Sequence, residues 1–446
     1  MNILYYFLTI LNLILFYIRY KIVKKNNLLI MDPILVYHAT WFINFFIKAL
    51  NLVSVFNYSL STKLPLFLIY WSSLTLGLWS GSYIFKIRSK KKDKDVIYKI
   101  GYGELAYSRK KIFSLLGIML MIDVISIILA FSIILSGYSL RNLFIAREYH
   151  GMARDYKQIM YITILGAFQM LLSTKLMYLI KNSKYLIIVF IVASFPQLII
   201  TAFTSGRTTF LTFLLLFWIL WYNINNKTSF NKSSLITTLV LILLIVAIFT
   251  VIDTGRRTMK ISLPDRDSFL RMLEYIQGPF EAFEFFNTLS IYDEMKGYPG
   301  YYTFYFFFNQ LNDVGVNYGP NVNAHDLYYI GMQYDPKLAQ FPGTVFISIH
   351  FDYGTYGGIL FTFIWGFSIM YILKKRFKKY NLFWEIFLAL NIFQLLWSGQ
   401  MYYLFGSSSH MFLLIMAFIR EIIRAMLRVL YKVKNENKIK RIQFST

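Results

Sequence analysis

The sequence contains no cysteine among its 446 residues, and its charged residues amount to only 15%, whereas a soluble domain carries about 25%. The lack of thiols excludes a disulfide scaffold, a thiolate metal site and a cysteine nucleophile. The hydrophobic content of 57% excludes a disordered protein, and the apolar residues are gathered into long runs. Since about 20 apolar residues cross the bilayer core as a helix, we predict an all-α, polytopic helical membrane protein.

Eleven apolar segments are candidate membrane spans. The first lacks the basic leader of a signal peptide, because its positive charges follow the apolar stretch. The segments lie near residues 3–18, 33–56, 64–85, 112–136, 158–180, 185–204, 207–222, 234–252, 354–373, 382–400 and 408–430. The predicted organisation is therefore spans 1–8 in 1–252, an external loop in 253–353, spans 9–11 in 354–430, and a basic cytoplasmic tail in 431–446.

The excess of positive charge predicts the orientation of these spans. The chain has 46 Lys and Arg against 22 Asp and Glu, and in a membrane protein such an excess marks the cytoplasmic face. One set of alternate connecting segments, which includes 86–111 and 420–446, contains 31 Lys and Arg, and the opposite set contains 13. We therefore place the N-terminus outside and the C-terminus inside. The runs Lys90–Lys92 and Lys374–Lys379 are then anchors near anionic lipid rather than nucleic-acid sites.

The loop 253–353 is the only large region outside the spans, and it contains 12 of the 22 acidic residues. Its first half has a helical pattern of apolar residues at spacings of three and four: Phe269, Leu273, Ile276, Phe280 and Phe283. This pattern predicts either an interfacial helix on the membrane or a helix that lines a site. The aromatic stretch 301–308 (YYTFYFFF) is too short to span. It is expected to be re-entrant or interfacial, or to stack on sugar rings.

Three groups of arginines face outward in this topology, against the charge bias, and one of them is Arg141, Arg147 and Arg154 in the loop 137–157. Arg207 follows Ser205-Gly206 in a tight turn between two spans, and Arg256 and Arg257 follow the eighth span. Guanidinium groups bind phosphate oxygens bidentately and stay charged, and helix amides near Arg207 can add to such a site. The alternative is contact with lipid headgroups or a salt bridge within a loop.

Two charged residues, Lys48 and Asp123, lie deep inside predicted spans. An intramembrane charge costs at least about 2.5 kcal/mol, so each needs a partner. We predict a Lys48–Asp123 pair that locks the helices together. The alternative is a proton or ion path.

Four features of the chain resemble the Wzy-type oligosaccharide repeat-unit polymerases, which make O-antigen and capsule. They are the segment Thr204–Phe210 (TSGRTTF) opening a span, the segment Tyr275–Phe280 (YIQGPF) followed by Glu281, the segment Phe346–Gly358 (FISIHFDYGTYGG) leading into a span, and the layout of many spans with a late external loop.

The resemblance implies a GT-C-like glycosyltransferase of the bacterial inner membrane. Such an enzyme moves a growing glycan from undecaprenyl diphosphate onto the non-reducing sugar of a new lipid-linked repeat unit. It implies inversion at the anomeric centre, no metal and no cofactor. Its partners would be the undecaprenyl-diphosphate-linked oligosaccharides, membrane lipid and a regulator of chain length, with no role for nucleic acid.

The leaving diphosphate develops negative charge, so preorganised cations must face it. Arg207, Arg256 and Arg257 are the candidates for this role. Arg271 and His325, both in the external loop, are further candidates for binding the substrate.

The acceptor hydroxyl needs a general base near the membrane surface. His350 and Asp352 lie where the loop enters a span, and in an extended segment residues two apart share a face. Glu281 and His325 are the other candidates. The alternatives are a helix N-cap for Asp352, a structural role for His350, and helix packing for the nearby glycines.

Three other functions compete with the polymerase. A glycan ligase would share the fold and donor and differ in its acceptor. A flippase for the lipid-linked unit would need a polar path and paired discontinuous spans. A purely structural membrane scaffold leaves the outward arginines and the acidic loop without a function.

Overall fold

The computed structural model of the protein is a helical chain. The described residues are 2–26, 28, 31–50, 64–86, 109–136, 157–180, 183–204, 207–224, 273, 283, 298–313, 315–316, 318–319, 344–378, 381–398 and 407–443. Within these residues every regular element is a helix. The prediction of an all-α protein is therefore confirmed for this part of the chain.

Eleven helices are named here in chain order. They are α1 (Asn2–Lys25), α2 (Pro33–Leu50), α3 (Leu64–Ile84), α4 (Arg109–Leu135), α5 (Lys157–Leu179), α6 (Ser183–Thr204), α7 (Arg207–Ile224), α8 (Tyr305–Asp313), α9 (Val345–Lys378), α10 (Leu382–Leu396) and α11 (Ser408–Gln443).

Five of the described helices are long and apolar enough to cross a membrane, which defines the chain as a helical membrane protein. These stretches are Ile3–Lys25, Pro33–Leu50, Lys111–Leu135, Lys157–Leu179 and Val345–Arg376. Shorter apolar helices cover Tyr185–Thr201, Phe210–Ile224 and Leu382–Leu396. The predicted span at 234–252 lies outside the described residues.

Two helices extend beyond the predicted segments. Helix α9 begins at Val345, nine residues before the predicted span at 354. The helix starts this early because Phe346, Ile347 and Ile349 are apolar and buried. The end of the external loop is therefore part of a helix. Helix α11 continues to Gln443, so most of the predicted tail 431–446 extends this helix.

A buried ion pair joins α1 to the start of α2. Arg19 donates from Nε and Nη2 to the two oxygens of Asp32, at 2.9 and 2.6 Å, and from Nη1 to the hydroxyl of Ser82 at 2.7 Å. Asp32 also accepts from the backbone amides of Ile34 and Leu35 and so caps α2. Both charges are buried, and the bidentate geometry compensates for part of their desolvation.

Helices α3 and α9 run parallel and approach each other closely. Ser73 donates to the carbonyl of Ile359 at 2.7 Å, one turn beyond the contact of Tyr70 with Gly354. A Cβ added at Gly366 would lie 2.8 Å from the carbonyl oxygen of Leu74. The backbones can approach this closely because the glycines at the interface carry no side chain.

Asp123 is held by Gln169 rather than by a lysine. The Nε2 group of Gln169, on α5, donates to Asp123 on α4 at 2.7 Å and to the carbonyl of Val192 on α6 at 2.8 Å. The ion pairs among the described residues do not include Lys48 with Asp123. The predicted Lys48–Asp123 pair is therefore wrong, and an amide joins these three helices instead.

The predicted helix in the external loop is described at two positions. Leu273 and Phe283 are both helical and buried. The ring of Phe283 packs edge-on against Phe67 of α3, with 5.6 Å between centroids. This part of the loop therefore contacts the start of α3.

Candidate functional site

Helix α9 is broken at Gly354, and the break lies against α3. Gly354 has φ 63° and ψ −169° inside the helix, a conformation that favours glycine because it has no Cβ. Its carbonyl oxygen accepts a hydrogen bond from the Tyr70 hydroxyl at 3.1 Å. A side chain of α3 therefore satisfies a carbonyl that the break releases from the helical pattern.

The same hydroxyl of Tyr70 fixes the ring of His350. Its oxygen lies 2.6 Å from Nδ1 of His350, and His350 is buried. Since the Gly354 carbonyl can only accept, the assignment that satisfies both contacts has the proton on Nδ1 of His350. Nε2 of the imidazole then carries the lone pair, which is the form that a general base requires.

Asp352 binds the turn that precedes α8. Its two carboxylate oxygens accept from the backbone amides of Tyr302 and Thr303, at 2.8 and 2.6 Å. Nearby, the Tyr318 hydroxyl donates to the carbonyl of Pro299 at 3.1 Å. Burial raises the pKa of Tyr318, and the negative charge of Asp352 raises it further. Asp352 thus holds the aromatic stretch of the loop against the start of α9.

The prediction that His350 and Asp352 share a face is wrong. It assumed an extended segment, whereas both residues lie in α9. In a helix of 3.6 residues per turn, side chains two positions apart point to nearly opposite sides. His350 accordingly contacts α3, and Asp352 contacts the turn at Tyr302 and Thr303.

Aromatic rings pack beside this histidine. Phe346 stacks with Tyr70 at 6.0 Å between centroids and with Trp41 at 5.9 Å. Phe67 meets Phe346 edge-on at 5.3 Å. Through Phe67 this cluster reaches Phe283 of the external loop. Phe283 of the external loop, α3 and α9 therefore contribute to one aromatic cluster beside His350.

The aromatic stretch 301–308 forms a turn followed by the first residues of α8. Tyr301, Tyr302 and Thr303 are buried. The ring of Tyr302 lies 5.9 Å from that of Phe351, and Phe306 meets Phe412 of α11 edge-on at 5.4 Å. Several side chains of this stretch therefore pack against other helices, whereas Phe307 is exposed.

The remaining predicted site residues are described only in part. Arg207 is the first residue of α7, and α6 ends three positions earlier at Thr204. The predicted tight turn at Ser205-Gly206 lies outside the described residues. The side chain of Arg207 also lies outside the described part of the structure. The candidates that lie wholly outside the described residues are Arg256, Arg257, Arg271, Glu281 and His325.

Tyr70 is a site residue that the local sequence does not predict. It lies in an apolar run of α3, and 280 positions separate it from His350. No local pattern connects such distant positions. A tyrosine hydroxyl in a largely apolar helix does indicate a polar contact, because a buried Tyr O–H needs a hydrogen-bond partner.

Among the described residues no group of three or more His, Cys, Asp or Glu is arranged to hold a metal ion. The chain matches no protein-family model, no curated protein and no solved structure. By its fold the chain is a helical membrane protein. Its candidate site is a buried histidine that is hydrogen-bonded to a tyrosine where α3 and α9 meet.

Proposed function

We propose that this chain is a membrane glycosyltransferase that polymerises undecaprenyl-diphosphate-linked oligosaccharide repeat units, as its resemblance to the Wzy-type polymerases implies. The observation that carries the proposal is the state of His350, the predicted base. It is buried, and its Nδ1 lies 2.6 Å from the Tyr70 hydroxyl, whose bond to the Gly354 carbonyl assigns the lone pair of the imidazole to Nε2. The proposal includes eleven spans, a GT-C-like architecture and a location in the bacterial inner membrane.

The depth of His350 along α9 supports a reaction at a membrane surface. Lys374 and Lys375 lie near the other end of α9, where basic residues mark the cytoplasmic boundary. Twenty residues separate Gly354 from Lys374, which corresponds to roughly 30 Å of helix, or the thickness of the hydrocarbon core. His350 then lies at the periplasmic boundary, with the N-terminus of the chain on the same side and the C-terminus in the cytoplasm.

The proposed chemistry is a single displacement at the anomeric carbon of the donor. Nε2 of His350 takes the proton from a hydroxyl of the non-reducing sugar of the acceptor unit. The hydroxyl oxygen forms a bond to the anomeric carbon as the bond from that carbon to the diphosphate oxygen breaks. Undecaprenyl diphosphate leaves with the bonding electron pair, and the configuration inverts. The resemblance implies that this reaction needs no metal.

The departing diphosphate needs positive charge fixed in advance. Arg207 is proposed for this role because it is the first residue of α7, where free amides at the helix N-terminus favour an anion. Arg256 and Arg257 are proposed beside it, with Arg271 and His325 on the substrate side.

Asp352 is proposed to position the site rather than to take the proton. Both of its oxygens accept hydrogen bonds from backbone amides of the aromatic turn, so the carboxylate anchors that turn. Glu281 stays a second candidate for the base. The acceptor and donor are the lipid-linked oligosaccharides, and a chain-length regulator is a proposed partner.

The test is the surface glycan of a strain from which the gene has been deleted. Loss of polymerisation leaves single repeat units on the surface, and the intact gene restores long chains. Absence of all surface glycan points instead to a flippase, and unattached polymer points to a ligase. Either of these two outcomes contradicts the polymerase.

A further inference from the structure

An apolar groove lies between α5 and α11, away from the His350 site. It encloses about 380 Å³, within the range of small-molecule sites. Three of its apolar lining residues, Phe168, Ile419 and Ile423, are exposed. Leu171, Leu172, Leu382 and Met416 complete its apolar lining.

Two cations, Lys175 and Arg420, also line this groove. Lys175 is half-buried and experiences repulsion from Arg420 and from Lys111 of α4. Among the described residues no carboxylate forms an ion pair with Lys175. The apolar groove therefore contains a half-buried ammonium group whose described charged neighbours are positive.

One carboxylate offsets part of this charge. Glu421 forms an ion pair with Arg420, and Arg424 lies 3.9 Å from its other oxygen. These neighbouring groups are four cations (Lys111, Lys175, Arg420 and Arg424) and one carboxylate, so positive charge is in excess beside the groove. Lys175 lies four residues before the end of α5 and Lys111 two residues after the start of α4. Both are at helix ends, where a lysine side chain extends toward lipid headgroups.

We propose that this groove binds one anionic glycerophospholipid, with an acyl chain along the apolar lining and the phosphate at Lys175 and Arg420. The charge complementarity identifies the occupant. The apolar lining suits a hydrocarbon chain, and the excess of cations requires a net negative headgroup. A zwitterionic lipid offers the same chain but carries its own cation, which the cluster repels.

The experiment is native mass spectrometry of the full-length protein in detergent, with phosphatidylglycerol and phosphatidylethanolamine of identical acyl chains. The wild-type protein is expected to retain phosphatidylglycerol preferentially. Lys175→Met is expected to lower this retention about five-fold, which is the effect of one cation near an anionic headgroup. Glycerol phosphate, which has the headgroup without the chains, is expected not to compete.

Two matched variants separate the site from general membrane contact. Lys25→Met removes one exposed charge from the end of α1, and it is expected to leave the preference unchanged. Ile419→Trp fills the groove, whereas Ile422→Trp places the same ring on an exposed position of α11 that does not line it. Only Ile419→Trp is expected to weaken retention.

Equal retention of the two lipids by the wild-type protein would overturn the proposal. So would equal losses in Lys175→Met and Lys25→Met, or competition by glycerol phosphate alone. Because the readout is lipid binding, none of these results depends on whether the chain polymerises a glycan.

Discussion

The phenolic oxygen of Tyr70 lies 2.6 Å from Nδ1 of His350, although 280 positions separate the two residues in the chain. The same hydroxyl donates to the carbonyl of Gly354 at the break in α9. One side chain of α3 therefore stabilises the break and orients the imidazole four residues before it. This connects the packing of two helices to the protonation state of the proposed base.

Tyr70→Phe is expected to lower the rate of polymerisation roughly five- to ten-fold, since one neutral hydrogen bond contributes about 1 kcal/mol. Without the hydroxyl, either nitrogen of His350 can carry the proton, and only one of the two forms acts as a base toward the substrate. The rate should be measured against pH, because loss of the tyrosine is expected to shift the limb that reports the histidine. A structural role alone would lower the amount of folded protein and leave the shape of the profile unchanged.

Asp352→Asn tests whether the carboxylate takes the proton. Asparagine has one amide oxygen, so it can replace only one of the two acceptors for Tyr302 and Thr303. The variant is expected to lose about 1–3 kcal/mol of stability and to retain far more activity than His350→Gln. Thermal unfolding in detergent and a polymerisation assay on folded protein check both parts. If the two variants lose activity equally while Asp352→Asn stays folded, the proposed division of roles is wrong.

The lengths of the apolar runs predict much of the architecture, but they predict little of the candidate site. The runs at 64–85, 112–136 and 158–180 coincide closely with α3, α4 and α5, because burial of an apolar helix in lipid depends on local sequence alone. The sequence identifies His350 and Asp352 as candidate site residues because they are titratable residues next to an apolar span.

The roles of those two residues were not predictable from local sequence. The partner of each depends on which helices pack together, and Asp352 binds a turn 49 and 50 positions earlier in the chain. The expectation of an extended chain before Gly354 is wrong. The chain is helical there because α9 continues beyond the break in both directions.

Asp32→Asn isolates the charge of the buried pair with Arg19. Asparagine can still cap α2 through its side-chain oxygen, but it leaves the guanidinium buried without a counter-charge. The expected cost is about 3–5 kcal/mol, measured as thermal unfolding in detergent. Adding Arg19→Met should recover most of it. Glu421→Ala removes the more exposed partner of Arg420 and Arg424 and is expected to cost about 1 kcal/mol or less. Similar losses in the two single variants would contradict this assignment.

Gly77→Ala tests the close approach of α3 and α9. A Cβ at this position would collide with the carbonyl oxygen of Phe363, so the helices must separate. The expected loss is about 1–3 kcal/mol, together with reduced polymerisation, because the Tyr70–His350 contact depends on this packing. Gly117→Ala is the control, since nothing lies within 4 Å of the added Cβ. It is expected to be neutral or to stabilise by up to about 1 kcal/mol.

Arg207→Ala is expected to abolish long glycan chains while leaving expression of the protein unchanged. Its proposed role is to hold the leaving diphosphate at the start of α7, where loss of a preorganised charge costs about 100-fold or more in rate. Glycan length should be compared with that in Arg207→Lys, which keeps the charge and loses the bidentate geometry. Persistence of long chains in Arg207→Ala would remove this residue from the active site.

The most direct measurement is polymerisation by the purified protein in lipid vesicles supplied only with an undecaprenyl-diphosphate-linked repeat unit. The wild-type protein is expected to form chains of several repeats and to release undecaprenyl diphosphate. His350→Gln, folded to the same extent, is expected to be slower by about 100-fold or more. Failure of the wild-type protein to join repeat units, or equal rates in His350→Gln, would contradict the proposed function or the proposed base.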